Sequence, residues 1–191
     1  MSKEELRAEA LYSRRKISIS QLARESLLVQ ENLAAQDQYR RAKLVVCYVS
    51  RDYEVQTTGI ITRMLAEGKR VAVPLVDDSS HSLLFFEIHG LDELSPGRFG
   101  VLEPGRGSEP VTLGEADLVL VPLVAWDDRG HRIGYGRGYF DRALAMRGAS
   151  LAVGLALESQ LVPVIPEVPS DVSMDMIVTE KRVLRFARSA A

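Results

Sequence analysis

The chain has 191 residues, 46% of them hydrophobic, a size and content that suit one domain with a buried core. A net charge of −2 with both signs interspersed excludes a global basic field for nucleic acid. One cysteine, Cys47, excludes an internal disulfide, and no Cys/His zinc spacing, secretion signal or apolar run of ~18 residues is visible, so a soluble, cytoplasmic chain without a membrane partner is expected.

Residues 2 to 16 read as a helix, with Leu6, Ala10 and Ile17 near helical spacing. Lys3 and Arg7, four apart, share one of its faces, either as a solvated basic stripe or as a pair reaching a phosphate site. Ser18 followed by Gln21 fits a capping box for a second helix, which carries Leu22, Val29 and Leu33 to about residue 38. The unbroken apolar run Leu44 to Val49 suits a strand buried on both faces. Glu54 and Thr57 follow it, at the carboxyl end where open α/β sheets bind ligands. Glu54 is therefore either an acceptor for a polar ligand ring or a charge complementing a helix dipole. A helix is expected over 55–67 with Gly68 as its stop, then strands over 71–74 and 83–88. This alternation predicts parallel strands joined by crossover helices. Residues 89–114 are rich in Gly and Pro and read as a loop, unusually long for structureless chain, so it is expected either to be functional or to carry short elements.

The most informative stretch runs from Val121 to Leu144. An apolar run ends at Pro122, and a polar turn, Asp127 to Gly130, follows. Gly134, Gly136 and Gly138 then alternate with Tyr135 and Arg137, and a helix begins, with Leu144 and Met146 on its apolar side. Glycines let backbone approach an anion closely, and convergent N–H groups at a helix start bind phosphate. Arg132 and Arg137 add positive charge, and Asp141 in the first helical turn can hold a metal that travels with phosphates. The pattern is neither a Walker A loop nor the dinucleotide fingerprint, which needs glycine where Tyr139 stands. The alternative is a tight structural loop.

Leu151 to Leu157 reads as a strand and Met176 to Val178 as a short edge strand. Prolines 163, 166 and 169 exclude a long helix between them, and Asp171 and Asp175 close that loop as candidates for a second metal carboxylate. The basic tail after Lys181 reads as peripheral. His81, His89 and His131 stand in loop or strand-end contexts and are expected at the surface, without chemistry. Trp126 fits either a stacking or a packing role.

In their order and spacing these pieces resemble the 5-formyltetrahydrofolate cyclo-ligase family. The strongest match is the proline, loop and Gly-Tyr-Gly-Arg-Gly-Tyr-Phe-Asp-Arg run ending at Arg142. Lys3…Arg7, Glu54…Thr57, Phe99 to Pro104, Glu158-x-Gln160 and Asp171 to Thr179 add shorter matches. Phe140 stands where the family often has tyrosine, Ser170 where it often has histidine, and Trp126 where phenylalanine is more usual.

The resemblance implies a three-layer, open, mostly parallel α/β sheet with helices on both faces, Rossmann-like and of the sugar-phosphate isomerase/CoA-transferase type. It implies ATP and Mg²⁺ as cofactors, a folate substrate, and a monomer or homodimer without nucleic acid. Carried over residue by residue, Lys3 and Arg7 would meet ATP phosphates. Arg132, Ile133, Gly134, Tyr135, Gly136, Arg137, Gly138, Tyr139, Phe140 and Asp141 would form the phosphate loop. Asp141 and Asp171 would bind magnesium. Glu54, Trp126 and the Gly136–Tyr139 segment would hold the folate, with Arg137 and Tyr139 at the chemistry. Phosphoryl transfer asks mainly for positioning and charge neutralisation, which suits this inventory. The competing readings are a sugar-phosphate isomerase that needs no ATP, and a nucleotide- or RNA-binding module using Tyr135, Arg137, Tyr139 and Phe140 as a stacking patch.

Overall fold

The computed structural model describes residues 1–97, 100–105 and 107–188. Three helices come first: α1 (Lys3–Arg14), α2 (Ile19–Ala34) and α3 (Asp37–Arg41). Ser2 caps α1 reciprocally with Glu5, which fixes the helix start at Lys3. Strand β1 (Leu44–Cys47), helix α4 (Thr58–Ala66), and strands β2 (Arg70–Asp77) and β3 (Ser82–Ile88) follow. The Gly- and Pro-rich stretch carries short elements, as one of its two readings expected: the strands β4 (Leu94–Pro96), β5 (Leu102–Pro104) and β6 (Pro110–Val111). Next come β7 (Leu118–Pro122), β8 (Ala125–Trp126), β9 (Arg132–Ile133), α5 (Tyr139–Leu144), β10 (Leu151–Leu155), β11 (Met176–Val178) and β12 (Val183–Arg185).

Eight strands form one sheet in the order β12-β11-β10-β7-β1-β2-β3-β6. The five from β11 to β2 are mutually parallel. Their apolar runs alternate between two cores. Val45 and Cys47 pack with Leu22, Val29, Ile60 and Met64 of α2 and α4. Leu44 and Val46 pack on the other face with Leu144 of α5. Helices therefore cover both faces, the arrangement that parallel strands need. Among the described residues no helix is long and apolar enough to cross a membrane.

Several expectations are corrected. β3 runs antiparallel to β2, because Asp77 to Ser80 make a tight hairpin turn instead of a crossover. The second helix ends at Ala34, and α3 is separate. α4 starts at Thr58, because the Thr57 hydroxyl is tied to Ser50 and Tyr48 in the preceding turn. β11 is not the edge: the tail after Lys181 adds β12 beside it, antiparallel. Met146 is 81% exposed, because α5 ends at Leu144 before the apolar stripe reaches it. His131 is half-buried, lodged against the fully buried Asp127 carboxylate and Glu167. Phe99, part of one family-like segment, lies outside the described residues.

Candidate active site

A cavity of about 790 Å³ opens at the carboxyl ends of β1, β2 and β7. This is where an open parallel sheet leaves room for ligands. One wall is α1, another the β2–β3 hairpin with β5, and the centre is the segment between β9 and α5.

That central segment owes its shape to glycine. Gly136 has φ 90° and Gly138 has φ 66°, values in the left-handed region that other residues adopt only with strain. Arg7 donates from Nε to the Gly134 carbonyl at 2.9 Å, and its guanidinium lies against Gly136 where a side chain would sit. Helix α1 thus braces the loop from outside. Lys3, one turn earlier, pairs with Asp171 across the cavity mouth.

Arg132 is buried, and its Nη2 donates to Asp141 Oδ1 at 2.8 Å. Burial pulls its guanidinium pKa down, and Asp141 and then Asp171 oppose the shift. Its Nε has no hydrogen-bond partner among the described residues. The Val172 amide lies 3.4 Å from the same Asp141 oxygen, so the two aspartate segments adjoin. Ile133, Arg137, Tyr139 and Phe140 line the cavity, although Phe140 also packs into the apolar cores on both sides. Arg142, unanticipated from sequence, donates to the His81 and Arg137 carbonyls and faces the Tyr139 ring at 5.3 Å, tying the loop to the hairpin tip.

Glu54 sits at the other end, 6% exposed, with Oε1 accepting from the Tyr135 hydroxyl at 2.7 Å and Oε2 from the Arg51 amide at 2.9 Å. Burial raises its pKa, and the bonds from Tyr135 and Arg51 only partly counter it. Tyr135 is thus directed at Glu54, not along the loop. Its ring lies under the Arg51 guanidinium at 4.5 Å, and its oxygen is 3.3 Å from Nη2 of the buried Arg14. Arg14 carried a missed signal: it continues the α1 face of Lys3 and Arg7 at helical spacing.

Two expectations fail on geometry. Trp126 cannot stack on a ligand, because it is fully buried and its indole N–H donates to the Leu157 carbonyl at 3.0 Å. Asp175 is no metal candidate, because its carboxylate accepts from the Ala152 amide, Arg147 and Arg188 and does not line the cavity. Glu103, which sequence reasoning passed over, is a buried carboxylate on the β5 wall.

Among the described residues no group of three His, Cys, Asp or Glu side chains could hold a metal alone. Asp141 and Asp171 are two hard oxygen donors that line the cavity, paired with Arg132 and Lys3 respectively. Such a pair fits a cation whose remaining ligands are phosphate oxygens and water, the usual habit of Mg²⁺.

The model of the 5-formyltetrahydrofolate cyclo-ligase family matches residues 1–180. The chain belongs to that family. It is therefore an enzyme of the cyclo-ligase type. Among its relatives, the 5-formyltetrahydrofolate cyclo-ligase of Escherichia coli (strain K12) is 34% identical over 146 residues, 74% of this chain and 80% of that one. The Mus musculus cyclo-ligase is 27% identical over 94% of both chains. The 5,10-methenyltetrahydrofolate synthetase structure from Aquifex aeolicus superposes with a TM-score of 0.87 at 32% identity, covering 100% of this chain and 96% of that one. A Mycoplasma pneumoniae synthetase shares the fold at 20% identity and TM-score 0.76, covering 94% of this chain and 99% of its own. Membership of the cyclo-ligase family leaves the isomerase and RNA-binding readings without a supporting observation.

Proposed function

We propose that the chain closes 5-formyltetrahydrofolate to 5,10-methenyltetrahydrofolate at the expense of ATP. The γ-phosphoryl group of ATP moves to the formyl oxygen, and ADP leaves with the electron pair of the broken P–O bond. A second folate nitrogen attacks the activated carbon and gives up its proton, and the C–O bond breaks to release phosphate. No protein nucleophile is required. The chain's task is to align two ligands and neutralise charge where it develops.

In this reading the amides of the Gly134–Gly138 segment receive phosphate oxygens, with Arg132 and Arg137 completing the positive rim and Lys3 and Arg7 closing it from α1. Asp141 and Asp171 would hold Mg²⁺, which supplies charge neutralisation to the phosphates when bound. Glu54 accepts hydrogen bonds from the folate ring, and Tyr139 adjoins the reacting edge. The observation that supports this most is the joining, in one cavity, of a glycine loop braced by α1 cations and a buried carboxylate suited to a polar ring.

The test is direct. Protein mixed with 5-formyltetrahydrofolate, ATP and Mg²⁺ should generate the near-ultraviolet absorbance of the methenyl product, and omission of ATP should abolish it. Absence of that absorbance from well-folded protein refutes the proposal.

A further inference from the structure

We propose that Tyr135 couples the two halves of the cavity, so that nucleotide and folate each tighten the binding of the other. This rests on the reading above, in which the glycine loop takes phosphates and Glu54 takes the folate ring.

The side chain belongs to both halves. Its backbone lies between Gly134 and Gly136, inside the loop, and Gly136 sits in the left-handed region at φ 90°. Its hydroxyl ends on Glu54, 81 positions earlier in the chain, at 2.7 Å. Glycines on both sides widen the range over which the backbone around Tyr135 can adjust when the loop is occupied, within the brace that Arg7 supplies. A phosphate seated on those amides fixes the loop, and a fixed loop fixes the ring.

The surroundings hold the ring in register with α1 and with β1. Arg14 meets the hydroxyl at 3.3 Å and donates from Nε to the Tyr53 carbonyl, while Arg7 on the same helix grips the Gly134 carbonyl. Arg51 covers the ring face at 4.5 Å and supplies the amide on the other Glu54 oxygen. The groups facing the Glu54 carboxylate are thus Tyr135, Arg51, Arg14 and the buried Tyr48. Of these, the Tyr135 hydroxyl alone is carried by the glycine loop.

The energetic consequence follows from ordering. An ionised carboxylate offers about four lone-pair sites, and Tyr135 and the Arg51 amide fill two of them. Their directions decide where the remaining two point. When a nucleotide has already ordered the loop, the folate meets an oriented Glu54 and no longer bears that ordering cost. Linkage makes the effect reciprocal.

Calorimetry on the full chain with Mg²⁺, a non-hydrolysable ATP analogue and 5-formyltetrahydrofolate tests this. In the wild type the analogue should tighten folate binding by about tenfold, and folate should tighten the analogue by the same factor. In Tyr135→Phe the factor should fall to near one, whatever the affinities for each ligand alone. An equal factor in both proteins overturns the proposal, as does a wild type that binds both ligands without coupling. A wild type that binds nucleotide but never folate overturns the functional reading with it. Should Tyr135→Phe not fold, Arg14→Lys carries the test: it keeps the hydroxyl and loosens its support, and an unreduced factor there counts against the proposal.

Discussion

Arg132 and Asp141 are joined at 2.8 Å across the whole glycine loop, the arginine nine residues before the aspartate and almost wholly buried. The pair closes the loop at its base. A buried guanidinium loses much hydration and recovers only part of it here from one carboxylate, so the pair is weak evidence for stability. In the proposed chemistry the guanidinium charge stands next to transferring phosphate.

Arg132→Met should therefore reduce turnover on the order of 100-fold while moving the thermal midpoint by no more than about 4 °C. Arg132→Lys should not restore the rate, because an ammonium cannot reproduce the planar fork. Steady-state kinetics beside a thermal melt decide it. A large fall in midpoint with near-normal turnover would reassign Arg132 to stability.

Asp171 and Asp175 should separate cleanly. Asp171 lines the cavity opposite Lys3, whereas Asp175 is 9% exposed and bound by two arginines and a strand amide. Asp171→Asn should raise the Mg²⁺ concentration needed for half-maximal turnover several-fold with little change in melting. Asp175→Asn leaves Arg147 and Arg188 short of a counter-charge and should destabilise by about 3 kcal/mol without altering the Mg²⁺ dependence of folded protein. The reverse pattern would exchange their roles.

Glu54 sets a pH dependence. Its folded pKa is raised, chiefly by burial, so in the interval between its unfolded and folded values the folded chain binds more protons there than the unfolded chain does. Its contribution to stability therefore falls as pH rises through that interval. Glu54→Gln should melt higher than wild type above the interval, and the difference should vanish below it. Binding has the opposite sense, since the ionised form is the better acceptor: kcat/KM for the folate should rise with pH along a limb above the ordinary carboxylate range. Glu54→Gln should remove that limb and weaken folate binding by at least about tenfold. Melts and pH–rate profiles of both proteins test the two senses independently.

Much of the molecule was legible from local pattern. Apolar runs at Leu44, Leu118 and Leu151 announced strands, the first of them as covered on both faces, and those strands form the parallel centre of the sheet. The alternating glycines between Arg132 and Asp141 announced a loop with unusual backbone, and two of them occupy the left-handed region. Helical spacing put Lys3 and Arg7 on one face, and that face meets the cavity.

What the sequence determined by itself was periodicity, punctuation and the family to which those motifs point, because each is written within a few neighbouring residues. Tertiary structure decided which groups meet. It turned β3 antiparallel, set β12 outside β11, withdrew Trp126 and Asp175 into the interior, and brought Arg14, Glu54 and Tyr135 together from three distant segments. A residue's period names the face it occupies, but its partner depends on how separate elements dock. Docking is fixed by packing and by satisfaction of buried polar groups over the whole chain, which no local window contains.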